Sequence, residues 1–223
     1  MQIFWIILHQ EFVLAGKNLA KILQNFLFFF ISLSIFFLIS QNQQNQLSSP
    51  FLSIDIILFC LVFSLIFSNS DFLHEDVRDG TLDQIIILQP NLEIFILAKM
   101  LGNWLILIMP ILIFIPFVNL AIGFNQSFAT DFAILAAISS LTINFICAFC
   151  GSLGVAKNKS PMIAILALPL IIPILLILCG SFSSEGISKD DFYEALRILS
   201  GICIFIGSIC VFATAKIMKI ISE

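Results

Sequence analysis

Charge is scarce in this sequence. Lysine and arginine number 10 and aspartate and glutamate 14 among 223 residues, so 11% of the chain is charged. An ordinary soluble domain carries roughly a quarter. The apolar share is 60%, with 25 phenylalanines, and the mean hydropathy is +1.12. No soluble core hides so much Phe, Ile and Leu on so short a chain, which leaves the lipid bilayer as the solvent. The basic residues are dispersed and form no patch for nucleic acid. The net charge of −4 decides little, because acidic residues barely affect membrane topology. Short alternating segments are missing, which excludes a barrel. A cleaved leader is not expected: the first residues lack a basic region, and no small-residue cleavage pattern follows.

What is present is a set of long apolar runs. A helix needs roughly 20 apolar residues to cross the hydrocarbon layer. Six stretches qualify, at about 20–40, 51–68, 95–122, 132–155, 162–180 and 196–217. Lipid cannot satisfy open backbone groups, so each should be helical. With the N-terminus in the cytosol, Lys17, Lys21, Arg78, Lys99, Lys157, Lys159, Lys216 and Lys219 are inside, and Lys189 and Arg197 are outside. That bias predicts both chain ends inside. The fold class expected is all-α integral membrane, with residues 1–223 forming one transmembrane domain.

Residues 1–22 read as an amphipathic helix on the membrane surface, with Phe4, Trp5, Leu8, Phe12, Ala15, Leu19 and Ile22 in one stripe. The alternative is an extension of the first span. Residues 41–50 and 181–195 read as external loops, 69–93 as the largest cytosolic loop, and 156–161 as a short basic cytosolic turn. Asp55 suits the outer N-terminus of the second span.

Chemistry-bearing groups are sparse. No Gly-x-x-x-x-Gly-Lys-Ser/Thr loop occurs; Gly154-Val-Ala-Lys157-Asn-Lys159-Ser160 lacks the glycine before lysine that lets backbone amides wrap a phosphate. The chain therefore needs another subunit to hydrolyse ATP. His9 and His74 both map to the cytosolic side, so an intramembrane serine protease has no buried base. No span has a carboxylate, histidine or lysine at its centre, which argues against an ion-driven carrier. Asn103, Asn119 and Asn144 are the main polar intruders, for which interhelical hydrogen bonds are expected. Cys147-x-x-Cys150 lies on one face of an apolar helix and reads as packing, and no metal site is expected.

The informative stretch follows the second span, from Phe72 to Pro90. It begins as a charged extension of that span. Gly80 breaks the helix, and Thr81 forms a capping box with Gln84. A short helix from Leu82 to about Leu88 carries Leu82, Ile85, Ile86 and Leu88; Pro90 stops it, and Asn91 can cap the third span. Such an apolar surface helix either lies in the headgroup layer or docks in a cytosolic partner and transmits its motion.

Glu75 followed by Gly80-Thr81-Leu82-Asp83-Gln84, then Pro90 and Lys99, resembles the coupling segment of ABC-2 exporter permeases, and Asp76, Arg78, Asp79 and Ile86 complete the residues expected to couple to an ATPase. The chain more narrowly resembles the haem exporter protein B family of cytochrome c maturation permeases. That similarity continues in Leu97-Ala98-Lys99-Met100 with Trp104, Gly154-Val155-Ala156, Leu168-Pro169-Leu170-Ile171-Ile172-Pro173 and Phe212-Ala213-Thr214-Ala215. The sequence departs from the pattern at Asn158-Lys159-Ser160-Pro161 and at Asn91-Leu92-Glu93.

The resemblance implies a permease of ABC-2 architecture. It would pair with a cytosolic ABC ATPase subunit and work beside a haem-handling membrane protein in the bacterial inner membrane or an organelle's inner membrane. It implies two copies per complex, ATP bound on the partner and haem handled by the complex. Powering the release of a haem complex is favoured over carrying haem, since no outer histidine is expected to ligate the iron. Pro110, Pro116, Pro169 and Pro173 are either hinges for the coupled motion or static kinks. The rival readings are an exporter permease for a drug, lipid or polysaccharide, and a membrane scaffold that only recruits an ATPase.

Overall fold

Apolar runs with no strand periodicity give helices throughout the computed structural model. It describes residues 2–17, 19–42, 50–69, 72–73, 77, 80, 92–122, 125–156, 162–182 and 189–222. Among these residues the helices are α1 (Gln2–Lys17), α2 (Leu19–Asn42), α3 (Pro50–Ser68), α4 (Leu92–Leu107), α5 (Met109–Ile122), α6 (Gln126–Ala156), α7 (Met162–Gly180) and α8 (Lys189–Ser222). Each of the six apolar stretches falls on a helix. Leu92–Leu120, Gln126–Gly154 and Lys189–Ile220 are long and apolar enough to cross a membrane. Shorter apolar helices run over Phe4–Gly16, Ile22–Phe36, Ile54–Ser68 and Leu166–Gly180.

The centre of the bundle is α6. Phe132, Leu135, Ala136, Ile143, Ile146, Cys147 and Cys150 are all buried on it, because α3, α5, α7 and α8 pack around it. Close packing against α8 depends on Gly207, where an added Cβ would sit 3.0 Å from the Phe145 ring. Polarity is distributed as a bilayer demands. Asn25, Ser64, Asn69, Ser139, Ser140, Thr142 and Asn144 are buried, while Leu23, Leu27, Ile31, Ile204, Phe205 and Phe212 face outward. Outward apolar side chains meet lipid without cost. Of the inward polar ones, Asn25, Ser64, Asn69, Ser140 and Asn144 bond residues of other segments, while Ser139 and Thr142 bond carbonyls one turn back on their own helix.

Several details differ from the sequence reading. The third stretch is a broken helix: α4 ends at Leu107 and α5 begins at Met109, with Ile108 between them. Proline at position 110 has no N–H for the preceding turn. Helical bonding still crosses the junction, from Ile108 N–H to Trp104 O at 2.9 Å and from Leu112 N–H to Ile108 O at 3.0 Å. The expected loop at 181–195 is helical from Lys189 onward. Asp190 and Asp191 lie in the first turn of α8, where carboxylates oppose the helix dipole favourably.

The expected extension of the second span does not run on unbroken: helix α3 ends at Ser68, Asn69, Phe72 and Leu73 lie in turns, and Val77 is helical again with its N–H on the Leu73 carbonyl at 3.1 Å. Asn69 Nδ2 donates to the Leu65 carbonyl at 2.9 Å, the same carbonyl that its backbone N–H bonds at 3.1 Å. Leu73, buried, then takes a left-handed φ of 66°. A leucine in that region costs about 1–3 kcal/mol and persists only where its surroundings hold it.

The stripe expected on α1 is redrawn. Phe4, Ile7, Leu8, Glu11 and Ala15 form the side that is covered, whereas Trp5, Phe12 and Leu19 are exposed. The covering element is α4.

Candidate functional site: the hydrogen-bonded hub on α4

Polar residues on an apolar helix reveal what it must touch. On α4, Met100, Asn103, Trp104 and Leu107 share one face at helical spacing. Each makes a hydrogen bond to a different part of the bundle. Asn144 Nδ2 on α6 donates to the Met100 carbonyl at 3.0 Å. Asn103 Nδ2 donates to Asn69 Oδ1 at 3.1 Å. Asn69 Nδ2 in turn donates to Asn144 Oδ1 at 3.1 Å, which ties the end of α3, α4 and α6 into one amide cluster. Trp104 Nε1 donates to Ser140 Oγ at 3.1 Å. One turn on, Asn25 Nδ2 of α2 donates to the Leu107 carbonyl at 3.1 Å, while Ser64 Oγ of α3 donates to Asn25 Oδ1 at 2.8 Å.

A second face of α4 meets α1. Lys99 Nζ lies 3.2 Å from Glu11 Oε1, with the two side chains only 14% and 20% exposed, and 6.0 Å from the centre of the Phe95 ring. Gly102, one turn along, is buried against the same helix. A Cβ there would sit 3.2 Å from Glu11 Cβ and 3.4 Å from its Cγ. Glycine inside a helix costs about 1 kcal/mol relative to alanine, so its place here follows from the close approach.

Among the described residues, α4 is thus the shared partner of α1, α2, α3 and α6. Its N-terminus follows directly on residues 81–91.

The expected coupling residues fall unevenly on the structure. Glu75, Asp76, Arg78, Asp79, Thr81, Leu82, Asp83, Gln84, Ile86 and Pro90 lie outside the described residues, as do His74 and Asn91. Gly80 has the expected helix-breaking conformation, with φ 70° and its N–H on the Val77 carbonyl at 3.3 Å. Lys99 joins α4 to α1 as above. Pro110 stands at the α4–α5 break, Pro116 is half-buried inside α5, and Pro169 and Pro173 lie on the exposed side of α7. Asn103 and Asn144 make the expected interhelical bonds. Asn119 does not: it is fully buried, and neither side-chain atom has a hydrogen-bond partner among the described residues.

Sequence reasoning passed over Glu11, Asn25, Ser64, Asn69, Gly102 and Ser140. One signal was available. Glu11 is the single acidic residue before Asp55, and Lys99 the single basic residue between Arg78 and Lys157. Lone opposite charges in apolar surroundings are candidates for each other. Among the described residues no group of three His, Cys, Asp or Glu side chains could hold a metal ion. His9 is exposed on α1. A shallow apolar groove runs along Leu23, Leu27, Phe28, Ile31 and Phe67, floored by the stacked rings of Phe28 and Phe67 at 5.2 Å.

The sequence model of the CcmB protein family matches residues 2–221. The chain belongs to the CcmB family. Heme exporter protein B of Escherichia coli (strain K12) is 27% identical over 223 residues, covering 97% of this chain and 98% of that protein. Heme exporter protein B of Haemophilus influenzae is 23% identical over 223 residues, covering 98% of each. A putative cytochrome c biogenesis ccmB-like mitochondrial protein of Marchantia polymorpha is 29% identical over 133 residues, covering 58% of this chain and 46% of that one. The bacterial matches run the length of the molecule, so the α4 hub lies inside the region shared with them.

Proposed function

We propose that this CcmB-family chain is the membrane subunit of a haem-export system that serves cytochrome c maturation. The observation that carries the reading is the match with heme exporter protein B along 97–98% of both chains. The chain would work as a permease without an ATP site of its own, coupled to hydrolysis by a separate cytosolic ATPase subunit and acting beside a haem-handling membrane protein. Residues 75–90 are the docking segment for that ATPase, with Leu82 and Ile86 as its apolar anchors. The α4 hub supports this assignment, because a short docking helix needs a stiff receiver for its motion. Six spans, both ends in the cytosol and two copies around a shared axis complete the ABC-2 arrangement. The membrane is the bacterial inner membrane, with an organelle's inner membrane as the counterpart suggested by the mitochondrial relative.

The test is purification from native membranes, with and without Leu82→Glu and Ile86→Glu together. The wild type should bring down an ABC ATPase and a haem-containing membrane partner, and the double variant should lose the ATPase. A deletion strain should lose its cytochromes c while drug tolerance and surface glycans stay unchanged. Normal cytochromes c with altered drug tolerance or glycans would instead favour a general exporter.

A further inference from the structure

The ion pair between α1 and α4 lies within the main packing contact of the N-terminal helix. Glu11 and Lys99 are 88 positions apart in sequence, and both side chains are largely covered. An ion pair shielded in this way is screened less than an exposed one, so the attraction between the two helices is stronger than that of a surface pair. Gly102 adds a steric requirement, since Glu11 Cβ occupies the space that any larger residue would fill. Ile7 is buried on the same side of α1, with Leu8 4.0 Å from the Gly102 position. Together these contacts fix the rotation and height of α1 on the second and third turns of α4, in the helix that follows residues 81–91.

We propose that Glu11 and Gly102 are positioning residues that clasp the N-terminal helix to the middle of α4, so that α1 moves with the helix that leads out of the segment the ATPase engages. This inference rests on the docking role assigned to residues 75–90. The clasp acts through Lys99: Glu11 holds its ammonium toward α1, and Gly102 lets the two helix backbones approach. Two bodies joined this way respond to a push as one. Trp5, Ile6, Phe12 and Val13, exposed on the far side of α1, would carry the displacement into the surrounding lipid. A broken clasp should leave the ATPase bound and hydrolysing ATP while the work delivered to the bundle falls.

The experiment uses the intact complex in native-membrane vesicles. It reads three quantities: ATPase captured, ATP hydrolysed, and haem-bearing cytochrome c produced per ATP. Glu11→Lys and Gly102→Val should each retain ATPase capture and lower the yield per ATP by about five- to tenfold, the usual size of coupling between two sites. The exchange Glu11→Lys with Lys99→Glu should restore most of the yield, because the attraction survives reversal of its signs. Should Glu11→Lys fail to accumulate, Gly102→Val carries the same test with both charges in place. Wild-type yield per ATP in the Gly102 variant, or an exchange variant no better than Glu11→Lys alone, overturns the clasp. Failure of the docking assignment looks different: ATPase capture then survives the Leu82 and Ile86 substitutions, whatever the clasp variants do.

Discussion

Two asparagines of this chain should respond in opposite ways to the same substitution. Asn144 and Asn119 are both fully buried on adjoining helices. Leucine has the same Cγ-branched skeleton, so replacing either one adds similar bulk and removes one amide. At position 144 the amide bonds the Met100 carbonyl and accepts from Asn69. Interhelical bonds of this kind are worth about 0.6 kcal/mol on average and up to about 1.7. Losing two therefore costs about 1–3 kcal/mol. Asn69 keeps its bonds to Leu65 and Asn103, which limits the damage.

At position 119 the amide has no partner among the described residues, and an unsatisfied buried group costs about 1–3 kcal/mol. Asn119→Leu should thus be neutral or stabilising. A protein of this size shifts its Tm by about 2–4 °C per kcal/mol, so the two variants should melt at least about 2 °C apart. The assay is thermal unfolding of the detergent-purified chain, followed by size-exclusion recovery. Equal losses for both variants would refute the reasoning, because the hydrogen bonds would then contribute nothing beyond side-chain size. A cycle combining Asn144→Leu with Asn69→Ala should show coupling of about 0.5–2 kcal/mol.

Other outcomes follow from the same geometry. Gly207→Ala should cost about 1–3 kcal/mol, since its Cβ would sit 3.0 Å from the Phe145 ring, and Phe145→Leu should recover part of that loss in the same melting assay. Trp104→Phe should cost only about 0.6 kcal/mol, because Ser140 keeps its bond to the Ala137 carbonyl at 2.8 Å; Ser140→Ala should add little on top. Pro169→Ala with Pro173→Ala restores two backbone donors to α7 and should raise Tm. If these prolines are hinges, the same double variant lowers cytochrome c production in a complementation assay, and intact complementation would remove the hinge assignment.

The helices were legible because lipid imposes a one-dimensional rule. A long apolar run that must satisfy its own backbone has one solution, and each of the six runs is helical. Their limits were less legible. Helix α8 starts seven residues before the expected span, because Lys189 to Ala195 are helical without being apolar enough to count as membrane sequence. The end of α3 was missed for a different reason. The chain turns at Asn69, whose side chain is tied to Asn103 and Asn144, residues 34 and 75 positions away.

The candidate site divides along the same line. Gly80 showed in sequence because a left-handed turn is a local property that glycine alone supplies cheaply. Asn103 and Asn144 showed as polar intruders, yet Asn119 carried the same signature and has no partner. What separates them is the position of neighbouring helices, which composition does not encode.

Composition and hydrophobic length alone thus decided that this chain is helical and belongs in a bilayer, and the ordered motifs around Gly80 and Lys99 were enough to suggest its family. Only the tertiary structure decided that α1 lies against α4 and that Glu11 faces Lys99. It also made α4 the helix through which four others are joined. Partition into lipid depends on each segment separately, whereas a hydrogen bond or ion pair between helices depends on two side chains meeting within about 3 Å.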